Sequence, residues 1–298
     1  SLGVLLGYNV FTPLNDVAWL NDNIFPNSPR TTPLVSHSML CYFISILYFS
    51  QITINLLFIA EEKILDKNAK KIPAGLKLDA AAVSGILKGT IRTWDDAAIK
   101  KINVGKKLPH KFINVYYRTS GSGTTQNLSA YLRDTVPSAG WVDNSTYTTA
   151  SGNSKGTGVA SNADIVTTVG KTPYSIGYAD LADTLTAGLQ YAALQNGAGQ
   201  FVKPSVAASK LFISKQSMAN NGVVKFDYEA AIKGAYNLSL VSYGIAPKGL
   251  GTPAAAGVKT WLTGYLKTCA PAKAAGLGYV ALSGDTLKIA LKLAAKVG

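Results

Sequence analysis

Residues 114–132, NVYYRTSGSGTTQNLSAYL, constrain the fold more than any other stretch of the chain. The alternating, β-rich KFINVYY ends at Arg118, and a run of only Gly, Ser and Thr leads straight into a helix-like segment. The first amides of a helix lack internal partners, and its dipole is positive there. Gly121 and Gly123 are expected to turn the backbone sharply and let a ligand approach the main chain. Ser122, Thr124 and Thr125 stand where the helix begins, and Arg118 adds a planar fork matched to two oxygens of one anion. The stretch is built like a cradle for a tetrahedral oxyanion. A Walker A loop needs a lysine that is absent, the G-x-G-x-x-G fingerprint lacks its third glycine, and a G-x-S-x-G elbow lacks its glycine pair. A Ser/Thr cap on an ordinary helix also fits the same residues.

Beyond residue 72 the pattern is α/β throughout. LDAAAVSGILKG reads as a helix capped by Asp79 and stopped by Gly89, and TWDDAAIKKIN as a short helix opened by Asp95 or Asp96. A Gly-rich loop over 151–158 precedes the helix ADIVTTVGK, which ends at Gly170. YSIGYAD is a short strand and YNLSLVSYGIA a longer one, while PAAAGVKTWLTGYLKTC and SGDTLKIALKLAAKV are helices with one apolar face.

Residues 1–70 differ in character. No charge occurs over residues 31–60, and from Met39 onward the run is long and apolar enough to cross a membrane. Three readings fit it: a membrane anchor, the strands and helix of a core, or a segment foreign to the Ala/Gly/Lys-rich remainder. The sequence opens on Ser1 without a basic n-region, so a processed chain, a fragment or a partial product is expected rather than a cleavable signal.

The formal net charge is +13, and residues 1–70 hold four basic and five acidic residues, so the whole excess lies in 71–298. Such a field favours an anionic partner, although a basic protein without one fits the charge equally well. The two cysteines, Cys41 and Cys269, and two histidines, His37 and His110, form no zinc pattern, and the cysteines are expected to stay unpaired. The lysines are dispersed without an interleaved aromatic stripe, which argues against nucleic acid.

Several motifs together resemble the PstS family, the phosphate-binding proteins of bacterial ABC importers. LDAAAVSGILKGTIRTWDDAAIKKINVGKKLP carries Gly89, Ile91, Trp94, Asp96, Ile99, Asn103, Gly105, Leu108 and Pro109 at that family's spacing. VYYRTSGSGTTQNLSAYL is similar to its R-S-D-G-S-G-T-T motif, VGKTPYSIGYAD to its T-P-x-S-I-G-Y element, and YNLSLVSYGIA to the strand that crosses back to the first lobe. The resemblance implies an α/β, two-lobed type-2 periplasmic-binding-protein fold, with the completeness of the N-terminal lobe left open. Residues 1–75 would be an atypical or incomplete first part of lobe I, 76–235 lobe II with the oxyanion loop, and 236–298 the return to lobe I with the C-terminal helices.

It also implies a phosphate site of Arg118, Ser120, Gly121, Ser122, Gly123 and Thr124 in an interlobe cleft. The protein would be a monomeric receptor with no cofactor, no metal and no catalytic step. It would deliver inorganic phosphate to the membrane permease of an ABC transporter from an extracytoplasmic position, in the periplasm or at the cell surface, free or membrane-anchored. An enzyme acting on phosphate esters would need a nucleophile with a base, or a metal cluster. His110 in KKLPHK reads instead as a solvated loop residue, and His37 is isolated in the apolar run.

Two departures stand out. Ser120 takes the place of the motif's Asp, which could accept the proton of a protonated phosphate, so weaker discrimination against sulfate is expected. The opening element G-A-T-F-x-x-P-L-Y is matched only in part by VFTPLNDVAWL through Phe11, Pro13, Leu14 and Trp19, and no GSGGG or SD pair follows. The alternative reading is therefore a degenerate or truncated relative with half a phosphate site and no high-affinity binding.

Overall fold

The computed structural model describes residues 52–59, 72–153, 155–244, 246 and 251–297, with backbone alone for 52–59. The elements are β1 (Ile52–Ile59), β2 (Lys77–Leu78), α1 (Ala80–Lys88), α2 (Ala97–Ile102), β3 (Asn114–Arg118), α3 (Gly123–Thr135), α4 (Tyr147–Ser151), β4 (Thr157–Val159) and α5 (Asn162–Lys171). The chain continues through β5 (Ser175–Asp180), α6 (Leu181–Ala187), β6 (Gln190–Tyr191), β7 (Ala193–Gln195), β8 (Phe201–Val202), α7 (Val206–Ile213), β9 (Ser217–Met218) and β10 (Val224–Lys225). It closes with β11 (Ser239–Val241), α8 (Pro253–Gly264), α9 (Ala270–Lys273) and α10 (Gly284–Ala294).

The expected α/β alternation is present. The main sheet runs β11-β1-β5-β3-β4, with β6 also paired to β1. Strands β4, β3 and β5 are parallel neighbours, so their carboxyl ends share one edge. Strand β1 runs antiparallel to β5, from Asn55 opposite Asp180 to Ile59 opposite Ile176. The last residues of the apolar run 31–60 are thus a strand inside the sheet, as one of the three readings held. The rest of that run, and VFTPLNDVAWL, lie outside the described residues. Among the described residues, no helix is long and apolar enough to cross a membrane.

Local chemistry explains the boundaries that the sequence marked. Asp79 Oδ1 accepts the Ala82 N–H at 2.7 Å at the head of α1, and Gly89 ends that helix at φ 69°, where a side chain would be strained. Asp96, rather than Asp95, caps α2 by accepting the Ala98 N–H at 2.9 Å. Strand β11 is shorter than YNLSLVSYGIA predicted. Asn237 Nδ2 donates to the Tyr228 and Ala230 carbonyls, and Ser239 Oγ to the Tyr236 carbonyl, so side-chain bonds hold this segment where ladder bonds would otherwise run.

Helix α1 buries Val83, Ile86 and Leu87 in a core shared with Leu78, Trp94, Leu128, Ile165, Ile176 and Tyr178. Trp94 is wholly buried and donates Nε1–H to the Tyr174 carbonyl at 3.0 Å. A smaller core of Tyr265, Leu266, Cys269, Ala270 and Ala294 lies under the C-terminal helices. The expectation of unpaired cysteines is corrected there. Cys269 is buried in this cluster and disulfide-bonded, and its partner lies outside the described residues.

Helix α5 lies directly on β5 because Gly177 has no side chain. A Cβ at that position would stand 2.6 Å from Ile165 Cγ2 and 3.1 Å from Val169 Cγ2. Gly177→Ala is expected to destabilise the fold by about 1–3 kcal/mol through overpacking. The midpoint of chemical denaturation measures it, and an unchanged midpoint would contradict this contact.

Candidate oxyanion site

At the carboxyl edge of the parallel strands, three helices begin side by side. Ser122 caps α3 after β3, Ser161 caps α5 after β4, and Asp180 stands at the head of α6 after β5. Ligands of open α/β sheets bind outside such an edge, where loops and helix N-termini converge.

Arg118, the last residue of β3, is buried at 9% exposure. Its Nε donates to the Ala160 carbonyl at 3.0 Å. Its Nη1 donates to Asn162 Oδ1 at 2.8 Å and Ser122 Oγ at 3.4 Å, and its Nη2 to Ser120 Oγ at 3.3 Å. All four acceptors are neutral oxygens, and among the described residues no salt bridge reaches Arg118. Burial pulls the guanidinium below its ordinary pKa, opposed by Tyr178, Asp180, Asp164 and Asp183. A guanidinium never deprotonates in practice, so the site holds a fixed positive charge whose direct partners among the described residues are all uncharged.

The predicted residues come together around that charge. Ser120 and Ser122 touch the guanidinium directly. Thr124 Oγ1 lies 3.3 Å from Asn162 Nδ2, and Asn162 in turn holds Arg118. The amides of Gly121 and Gly123 have no hydrogen-bond partner among the described residues, whereas the Ser122 N–H is taken by the Ser145 carbonyl at 2.9 Å. The expected glycine turn differs in kind: neither Gly121 nor Gly123 adopts a positive φ. What Gly121 provides is close approach, since a Cβ there would lie 3.3 Å from Ser145 Oγ.

Three residues of the site went unread in the sequence. Tyr178 Oη accepts the backbone N–H of Arg118 at 3.3 Å and bonds Thr125 Oγ1 at 2.8 Å, tying β3, β5 and α3 together behind the cradle. Burial pushes its phenol up to about 12, so it stays a neutral hydroxyl. Asn162 links Arg118 to Asp180, whose Oδ2 accepts its Nδ2–H at 3.1 Å. The usable signal was the serine cap followed by Asn162 right after a short strand, and the acid that closes YSIGYAD. His110 lies elsewhere, with its ring 84% exposed and bonded to Asp95 Oδ1 at 3.0 Å.

The PBP superfamily domain matches residues 59–266 of the chain. The phosphate-binding protein PstS of Xylella fastidiosa (strain Temecula1) is 34% identical over 180 residues, covering 59% of this chain and 48% of the relative. The phosphate-binding protein PstS of Pasteurella multocida is 41% identical over 143 residues, covering 46% and 40%. The chain thus spans about half the length of these relatives or less. Among solved structures, a high affinity periplasmic phosphate-binding protein (PfluDING) bound with phosphate superposes with a TM-score of 0.59 at 16% identity, over 91% of this chain and 82% of that one. A phosphate-binding protein from Stenotrophomonas maltophilia gives 0.56 at 14% identity, over 87% and 77%. At these identities the structural likeness establishes a shared fold.

Tyr178→Phe leaves the buried Arg118 N–H without its acceptor. The expected cost is about 1–3 kcal/mol of stability, read from the denaturation midpoint. A variant as stable as the parent would contradict the role of this hydroxyl.

Proposed function

The chain belongs to the PBP superfamily as a protein of the PstS type with the type-2 periplasmic-binding-protein fold, and on that premise we propose that it binds inorganic phosphate at Arg118. The observation that carries this reading is the buried guanidinium whose bonded partners among the described residues are all neutral. A buried charge needs a counter-charge, and an incoming oxyanion supplies it. One phosphate would take two oxygens to the Arg118 fork and others to the Gly121 and Gly123 amides and the Ser120, Ser122 and Thr124 hydroxyls. The names of the relatives and of the structural neighbours point to the same ligand.

Binding of this kind uses no catalytic step. The part of residues 1–75 and 236–298 outside β1 and β11, which are paired into the sheet that carries Arg118, would close over residues 76–235 and so bury the anion in the cleft between the two lobes. Opening at the permease of an ABC transporter would release it, and the receptor would act outside the cytoplasm as a monomer. The second reading, half a site with no high-affinity binding, rests on the described donors all coming from the β3, β4 and β5 edge.

Titration calorimetry of the full chain with inorganic phosphate tests the proposal, with Arg118→Ala alongside. Micromolar or tighter binding is expected, weakened about 100-fold or more in the variant. No binding to the folded chain would overturn the receptor reading in favour of the half-site.

A further inference from the structure

One bound anion answers the buried Arg118 and leaves most of the formal charge of +13 without a use. That excess is concentrated in places. Residues 92–112 carry six basic residues, Arg92, Lys100, Lys101, Lys106, Lys107 and Lys111, against two acidic ones. Both acids are engaged: Asp95 pairs with Lys100 at 3.2 Å and with His110 at 3.0 Å, and Asp96 caps α2. Among the described residues no salt bridge reaches Arg92, Lys101, Lys106, Lys107 or Lys111. Cations at a helix C-terminus ordinarily answer its dipole, which accounts for Lys100 and Lys101 at the end of α2. Lys107 and Lys111 lie on no helix.

The same stretch holds the two most exposed large apolar side chains among the described residues, Val104 at 88% and Phe112 at 73%, where the next reach 54%. Single exposed apolar residues are ordinary, but these two are interleaved with exposed lysines. Asp95 takes Lys100 on one oxygen and His110 on the other, so the end of α2 lies beside residues 110–112. Val104 follows α2 by two residues, Phe112 is held by a bridge to Thr93, and Lys111 Nζ stands 5.6 Å from the centre of the Tyr174 ring. Phe112 precedes β3 by two residues and Arg118 ends that strand, so about 20 Å of extended chain separates this surface from the oxyanion site. Exposed Lys155 and Lys171 stand just before β4 and β5 and continue the positive face along the same amino edge.

We propose that this amino edge, centred on residues 100–112, docks on an anionic bilayer surface. The surface potential draws the lysines into the headgroup layer, and Phe112 and Val104 enter the boundary between headgroups and acyl chains. Lysine stems are long enough to keep their ammonium groups among the headgroups while the apolar neighbours go deeper. A soluble polyanion would use the charges and leave Phe112 and Val104 in water, so a lipid surface is the partner that uses both. Docking by this edge leaves the opposite, carboxyl edge with Arg118 open to solution. The inference does not depend on which anion Arg118 takes.

Sedimentation of the full chain with protein-free vesicles tests it. Vesicles of phosphatidylcholine with about one-third phosphatidylglycerol should bind about tenfold or more tightly than phosphatidylcholine alone, and about 0.5 M salt should abolish the difference. The combined variant Lys101→Ala, Lys107→Ala, Lys111→Ala should bind the anionic vesicles about 100-fold more weakly, roughly fivefold for each lysine near the surface. Phe112→Ala should weaken binding about tenfold. Lys267→Ala, Lys273→Ala, Lys292→Ala together remove the same charge from exposed positions of the C-terminal segment and should stay within about threefold of the parent. Equal binding to both kinds of vesicle would place attachment in an apolar segment and overturn the inference. So would equal losses in the two triple variants, which would make the attraction one of diffuse net charge, or undiminished binding by Phe112→Ala. Binding to soluble polyphosphate with none to the vesicles would assign the face to a polymer and overturn it as well.

Discussion

A guanidinium inside a protein must be held, and how it is held decides what the surroundings can do. Arg118 is fixed by the Ala160 carbonyl, the Asn162 amide oxygen and two serine hydroxyls, all neutral. A carboxylate in any of these places would have consumed its charge in a permanent ion pair. Neutral acceptors orient the fork and leave the charge available. The rest of the site follows from this choice: Gly121 and Gly123 amides beside it without partners among the described residues, hydroxyls around it, and the Asp180 carboxyl kept behind an asparagine.

The sheet makes the arrangement possible. Three parallel strands end on one edge, and each passes directly into a helix, so three N-termini and the side chains at their heads meet in a small volume. Tyr178 stiffens that edge from behind, and the stack of Tyr117, Tyr147 and Tyr178 fills the space under it. Gly177 lets α5 settle close enough for Asn162 to reach both Arg118 and Asp180. Fold and site are therefore coupled through packing that contains no ligand-binding group.

The sequence revealed what is local. Asp79, Gly89 and Ser122 mark helix ends by chemistry that acts over three or four residues, and the structure places them at those ends. The Arg118–Thr124 cradle was legible for the same reason. Asn162 and Asp180 were not, because they reach Arg118 and Thr124 only when strands far apart in sequence pair side by side; Asn162 lies 38 residues from Thr124 and 44 from Arg118. Strands β2, β6, β8, β9 and β10 have two residues each, too short for alternation to show. The apolar run 31–60 was ambiguous because a buried central strand and a membrane segment share composition, and only the pairing of β1 with β5 and β11 distinguishes residues 52–59.

We propose that the charge of Arg118 is held for a tetrahedral anion at the carboxyl edge of β3, β4 and β5. The most direct test is a crystal structure of the full chain grown with inorganic phosphate. One tetrahedral anion is expected bidentate to Arg118, within hydrogen-bond distance of the Gly123 amide and the Ser122 and Thr124 hydroxyls. An anion bound elsewhere while Arg118 keeps only its neutral partners would contradict it.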